Sequence, residues 1–200
     1  KRFVALGRDA DDALHDIPHP RLTVSEENQR RVFESLDLSP AKPVVAFMPG
    51  AEYGPAKCWP LESFAALADL LEDAGYEVWL LGSAKDEPAG AEIAARSSAR
   101  NLCGKTSLED VIDLLGYAAH AVSNDSGLMH IASAVDAHVH AVYGSSSPNF
   151  TPPLTERRTV HWLDLECSPC FKRECPLGHL RCLREITAEA VAEGIRAAGQ

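Results

Sequence analysis

The chain has 200 residues, 46% hydrophobic and 24% charged, with a formal net charge of −10. That composition is typical of a soluble globular protein with one large domain, or one domain plus an appendage. The acidic balance argues against general nucleic-acid binding, and no stretch reaches the roughly 20 apolar residues that cross a bilayer. The chain starts at Lys1, without an initiator methionine or a signal peptide, and reads as a fragment or a processed form.

In chain order, residues 1–43 read as a lead-in. Ile17-Pro18-His19-Pro20 is extended and turn-rich. Ser25 is placed to cap a helix from Glu26 to Leu36, with Glu26 and Glu27 in its first turn. From residue 44 to 200 strands and helices alternate. Strand Val44–Met48 precedes helix Leu61–Ala74, whose Leu61, Phe64, Ala65, Ala68, Leu70 and Leu71 share one stripe. Strand Glu77–Leu81 ends at Gly82 before helix Glu87–Arg96. A short strand at Asn101–Leu102 precedes helix Leu108–Tyr117. Strand Ala119–Ser123 feeds a helix after Asp125, and strand His138–Tyr143 runs into Gly144-Ser145-Ser146-Ser147-Pro148. Arg157–Leu163 is a further strand candidate, and Thr187 caps a closing helix over Ala188–Ala198. Repeated βα units predict an α/β fold, a doubly wound parallel sheet of Rossmann-like kind with helices on both faces. Ligands of such sheets sit at the carboxyl ends of the strands. The loops 49–57, 82–87, 104–106, 124–127 and 144–148 all fall there.

Two of those loops carry the chemistry. Ser123-Asn124-Asp125-Ser126-Gly127-Leu128-Met129-His130 reads as strand, tight turn, helix. The first N–H groups of such a helix are unpaired and, with the helix dipole, suit a phosphate or diphosphate. Ser126 adds a hydroxyl donor, and Gly127 allows close approach to the backbone. The competing reading is a plain βα turn with Asp125 as N-cap. The second loop, Pro49 to Pro60, is rich in glycine and proline and carries Lys57. It lacks P-loop spacing. Lys57 is a flexible point charge for a phosphate, or else a solvated surface lysine.

The segments Gly50-Ala51-Glu52-Tyr53-Gly54-Pro55-Ala56-Lys57 and Trp59-Pro60, Gly82-Ser83-Ala84-Lys85-Asp86, Asn124 to His130, and Tyr143 to Pro148 followed by Phe150-Thr151-Pro152-Pro153 resemble, in consistent order, the lipopolysaccharide heptosyltransferase II family. The resemblance covers roughly residues 40–198. It implies the C-terminal, nucleotide-sugar-binding domain of a GT-B glycosyltransferase, with the N-terminal domain absent. The implied reaction is inverting transfer of heptose from ADP-L-glycero-D-manno-heptose to the lipopolysaccharide inner core. By the resemblance Lys57 contacts the diphosphate and stabilises the leaving ADP, and Asp86 accepts from ribose hydroxyls. Asp125, Ser126 and Gly127 surround diphosphate and sugar, His130 reaches the donor or braces the turn, and Leu102, Gly104 and Thr106 edge the adenine pocket. Cys58 departs from the family, which usually has Arg there. The general base is expected in the absent N-terminal domain, no metal is required for transfer, and this piece alone is expected to be inactive. The partners implied are the donor, the core acceptor, the missing domain and, peripherally, the inner face of the inner membrane, with a cytoplasmic location.

Cys167, Cys170, Cys175 and Cys182 form C-x₂-C-x₄-C-x₆-C in a loop spanning 166–184. Four thiolates in 16 residues suit a structural Zn²⁺, free cytosolic thiols, or one or two disulfides. Lys172, Arg173, His179, Arg181 and Arg184 make this loop basic, facing lipopolysaccharide phosphates, a membrane surface or plain solvent. Two other functions compete with transfer: a nucleotide-sugar epimerase of GT-B type, and a non-catalytic nucleotide-binding module.

Overall fold

The computed structural model describes residues 18–199. Its elements are α1 (Glu26–Ser35), β1 (Val44–Met48), α2 (Leu61–Asp73), β2 (Glu77–Leu80), α3 (Glu87–Ala94), β3 (Arg100–Asn101), α4 (Leu108–Tyr117), β4 (His120–Asn124), α5 (Gly127–Ala134), β5 (His138–Val142), β6 (Arg158–His161), α6 (Arg181–Arg184) and α7 (Ala188–Ala198). The six strands form one sheet in the order β3-β2-β1-β4-β5-β6, with every pairing parallel. The strand order reverses between β1 and β4, which is where an open α/β sheet leaves a crevice. The expected doubly wound α/β fold is what the chain adopts.

Every residue of β1 is buried, because helices cover both faces of the sheet. Alternate side chains enter different cores. Val45 and Phe47 join Phe64, Leu67 and Leu71 of α2 and Val191, Ala192 and Ile195 of α7. Val44, Ala46 and Met48 join Trp79, Leu114, Leu115 and Met129 on the other side. The α2 stripe differs from expectation in two respects: Leu67 is in the core, while Leu61 and Leu70 pack at its edge. Strand and helix ends shift by one or two residues, as they do wherever terminal turns fray. The β3 strand is Arg100–Asn101; Leu102, just past its end, still donates its N–H to the Leu80 carbonyl at 3.0 Å and buries its side chain in the second core.

The lead-in helix belongs to the packed domain. Val32 is fully buried against the second core. The buried carboxylate of Asp113 on α4 accepts from the Ser25 N–H at 2.7 Å and the Asn28 side-chain amide at 2.6 Å. Ser25 caps α1 through the Asn28 amide, and Thr187 caps α7 through the Ala190 amide, both as expected.

His120, His138, His140 and His161 stand on one face of β4, β5 and β6. His140 Nε2 lies 3.3 Å from His120 Nδ1. The His138 and His140 rings stack with centroids 4.9 Å apart, and His140 and His161 at 5.8 Å. Gly194 of α7 covers them; a Cβ there would stand 3.2 Å from His161 Cε1 and 3.5 Å from His140 Nδ1. His140 Nδ1 and His161 Nε2 are buried without a hydrogen-bond partner among the described residues.

Candidate functional site

The crevice between β1 and β4 opens into a cleft of about 920 Å³, lined from the loops after β1, β2, β3 and β4. That size suits a nucleotide-sized ligand. Lys57, Asp86, Asp125, Ser126, Gly127 and His130 all line it, so residues up to 73 positions apart in the chain converge on one space. Thr106 lines it as well, with its Oγ1 buried and unpartnered. Leu102 and Gly104 do not line it. The fifth loop, 144–148, does not line it. Its Ser145 N–H donates to the Ala56 carbonyl at 3.1 Å, so it supports the Lys57 loop.

The turn after β4 resolves the two readings of Asp125. Ser126 occupies the N-cap position of α5, and no side chain caps the helix. Asp125 instead binds the Lys57 ammonium, Nζ to Oδ2 at 2.5 Å, with the lysine side chain 16% and the aspartate 5% exposed. The first N–H groups of α5 are without a side-chain cap. A Cβ at Gly127 would meet nothing within 4 Å, so the space above those amides is open. Ser126 Oγ rests 3.2 Å from Ser123 Oγ.

Lys57 is held from two sides. Asp125 takes its charge, and the Tyr53 ring lies 5.1 Å below its Nζ. The Arg173 guanidinium stacks on the same ring at 5.4 Å, and the Tyr53 hydroxyl donates to the Phe171 carbonyl at 2.9 Å. The basic loop thus braces the lip of the cleft. The Arg173 carbonyl also accepts from the Ala56 N–H at 3.0 Å. Gly54, at φ +149°, passes so close that a Cβ would sit 2.7 Å from that carbonyl.

Asp86 closes a capping box: its Oδ2 accepts from the N–H and the hydroxyl of Ser83, each at 2.8 Å. Its carboxylate lies against two glycines. A Cβ at Gly50 would fall 2.2 Å from Oδ1, and one at Gly82 would fall 2.8 Å from the Asp86 Cβ. Gly50 and Gly82, both in the family-like segments, therefore make room for this acid. Lys85 and Glu52 pair across the mouth at 3.2 Å, both largely exposed.

Partial burial lowers the His130 pKa below its ordinary value. The Lys57 charge adds to that shift and Asp125 opposes it, so the imidazole is neutral near pH 7. Burial and the nearby Asp86 charge push the Cys58 thiol up, and its Sγ reaches the Gly54 carbonyl at 3.7 Å. That position makes no charged contact.

Asn124, Tyr53 and Ser83 were not singled out from the sequence as site residues. Asn124 and Tyr53 act through partners distant in the chain, whereas Ser83 acts through Asp86 three residues on, a capping-box spacing that local sequence carries. The six cysteines are all free thiols. Among the described residues no group of three His, Cys, Asp or Glu side chains is arranged to hold a metal ion. Cys182 is buried, and its thiol is pushed up by burial and by the nearby Cys167, Cys170 and Cys175.

The architecture is a doubly wound α/β domain with a cleft of nucleotide size at its switch point. Its sequence is matched over residues 1–181 by the model of glycosyltransferase family 9 (heptosyltransferase), and the chain belongs to that family. It is 41% identical over 205 residues to lipopolysaccharide heptosyltransferase 2 of Salmonella typhimurium, an alignment covering 96% of this chain and 59% of the relative. The structure of the E. coli ADP-heptose lps heptosyltransferase II matches with a TM-score of 0.84 at 39% identity, over 98% of this chain and 60% of that one. E. coli heptosyltransferase WaaC with ADP matches with a TM-score of 0.63 at 26% identity, over 80% of this chain and 45% of that one. The chain spans about 60% of the length of such curated relatives.

Proposed function

We propose that this chain is the donor-binding, C-terminal part of an inverting GT-B heptosyltransferase that moves heptose from an ADP-heptose to the lipopolysaccharide inner core. One observation carries the reading: a half-buried lysine beside an uncapped helix N-terminus, at the switch point of a parallel sheet, in a cleft of nucleotide size. The similar proteins supply the identity of the nucleotide and sugar.

In this reading the diphosphate sits on the amides of Ser126 and Gly127 with Lys57 at its flank. Breaking the anomeric C–O bond leaves charge on the departing ADP, which the ammonium and the helix amides stabilise as it develops. A donor diphosphate competes with Asp125 for Lys57, so Asp125 holds the ammonium in place before the ligand arrives. Two adjacent anions repel, which turns Asp125 toward the lysine and the heptose hydroxyls rather than the phosphates. The free oxygen of Asp86, Oδ1, accepts from a ribose hydroxyl, while Thr106, Leu108 and Val111 border the base. Neutral His130 donates to or accepts from the sugar end. The base that activates the acceptor hydroxyl belongs to a part of the enzyme outside this chain. The transfer runs without a metal, its charge neutralised by Lys57 and the helix. The whole enzyme works at the cytoplasmic face of the inner membrane; among the described residues no helix is long and apolar enough to cross one.

Calorimetric titration of the chain with ADP and UDP tests the assignment. ADP should bind and UDP should bind at least tenfold more weakly. Absence of ADP binding, or equal binding of the two, refutes it. The chain alone should transfer no heptose to a core acceptor, and measured turnover would place the base within it.

A further inference from the structure

We infer that Asn124 is a positioning residue for the diphosphate, fixing both ends of the Lys57 loop so that the ammonium stands at the N-terminus of α5. This deepens the reading of the cleft as a nucleotide-diphosphate site and rests on it. Asn124 is the last residue of β4 and has no exposed surface. Its side-chain Nδ2 donates to the Pro49 carbonyl at 2.6 Å, and its Oδ1 accepts from the Trp59 N–H at 2.9 Å. Pro49 opens the loop that carries Lys57, and Trp59 closes it. One carboxamide therefore ties the two ends of this loop to the central strand.

The chemistry needs a carboxamide. The loop's first end offers an acceptor and its far end a donor, and Asn presents one donor and one acceptor from a single short planar group. Aspartate keeps the acceptor and sets a second oxygen against the Pro49 carbonyl. Leucine fills the space and leaves both backbone groups unpaired. The next residue, Asp125, grips the Lys57 ammonium itself. The dipeptide Asn124-Asp125 thus holds the loop at its start, at its finish and at its charge. The far anchor is rigid in its own right: the Trp59 ring is fully buried and its Nε1 donates to the Ile186 carbonyl at 2.9 Å. Between the anchors the backbone is glycine- and proline-rich, so the lysine's placement depends on them.

Calorimetry with ADP and NMR titration with adenosine, on the wild-type chain and on Asn124→Leu, test the role. In the variant ADP affinity should fall at least tenfold, while adenosine affinity stays within twofold. General loosening of the fold would weaken both by the same factor, and that result overturns the proposal. So does a variant that binds ADP within twofold of wild type. If the wild-type chain binds no ADP, the diphosphate reading itself fails, which is a separate outcome. Lys57→Ala combined with Asn124→Leu should bind ADP no more weakly than Lys57→Ala alone; full additivity argues against a role through the lysine. Where Asn124→Leu does not fold, Asn124→Asp should shift ADP affinity in the same direction. In the wild type the Trp59 amide should exchange its hydrogen as slowly as the β4 amides. Exchange as fast as that of Glu52 and Tyr53 would show the anchor to be loose and overturn the proposal without any variant.

Discussion

Acidification should unfold this protein through the imidazoles buried under α7. Burial and then the neighbouring His138 and Arg157 charges push His120 down to about 4. Burial alone pushes His161 down to about 4. Burial, then His161, His120 and His138, push His140 down to about 2. Burial, with Arg157, also lowers His138, which touches Thr159 Oγ1 at 3.1 Å. Tyr76 is the aromatic neighbour on the α2 side. An unfolded chain binds these protons near pH 6.5. Below that pH the unfolded state binds more protons than the folded one, so stability is complete above about 6.5 and declines as pH falls. For a group moved from 6.5 to about 4 or lower, the loss between pH 7 and pH 5 is about 1.8 kcal/mol. His120, His140 and His161 together lose roughly 5 kcal/mol, comparable to the whole stability of many domains. Urea titration at pH 7, 6 and 5 reads this directly. With a slope near 2 kcal/mol per molar, the midpoint should fall by roughly 2.5 M across the range. His140→Leu, which removes the deepest imidazole at similar volume, should cut that fall by about a third. A wild-type midpoint that moves by less than about 0.3 M between pH 7 and 5 refutes the reasoning.

Lys57→Ala should weaken ADP binding by about 10- to 100-fold, the value of one charge-assisted contact; an unchanged calorimetric affinity would remove the lysine from the site. Gly50→Ala should destabilise by about 1–3 kcal/mol, because its Cβ would stand 2.2 Å from Asp86 Oδ1 and must displace that carboxylate. Thermal unfolding checks the cost, and a melting temperature equal to wild type would show the acid to be freely mobile. Thiol labelling should begin at Cys175, where the backbone N–H groups of Leu177, Gly178, His179 and Leu180 stabilise the thiolate. It should reach Cys103 last, since burial and the Asp86 charge push that thiol up to about 12. Mass mapping of a timed labelling series would reveal any other order.

Much of the cleft was legible before folding because its parts are local. The run Val44–Met48 is apolar at every position, as a strand covered on both faces requires, and Gly127 follows a strand and opens a helix. These patterns mark where strands end, and in a parallel sheet strand ends are where ligands sit. The family-like segments then point to Lys57, Asp86 and Asp125 individually. They leave open what those residues touch. Asp125 could equally have capped α5, and only the arrival of Lys57 from 68 positions away draws it off the helix. His138-x-His140 on a strand does place two imidazoles on one face, but their burial depends on β4, β6 and Gly194.

Periodicity and turn chemistry in the chain determined the order of elements and the edge of the sheet at which the cleft opens, because both depend on residues within a few positions of each other. Tertiary structure alone decided which groups meet there. Asn124 between Pro49 and Trp59, Tyr53 between Lys57 and Arg173, and the four clustered histidines bring together segments separated by up to 120 residues. Nothing in local sequence can specify such pairings, since they form only when parallel strands bring distant loops to one edge.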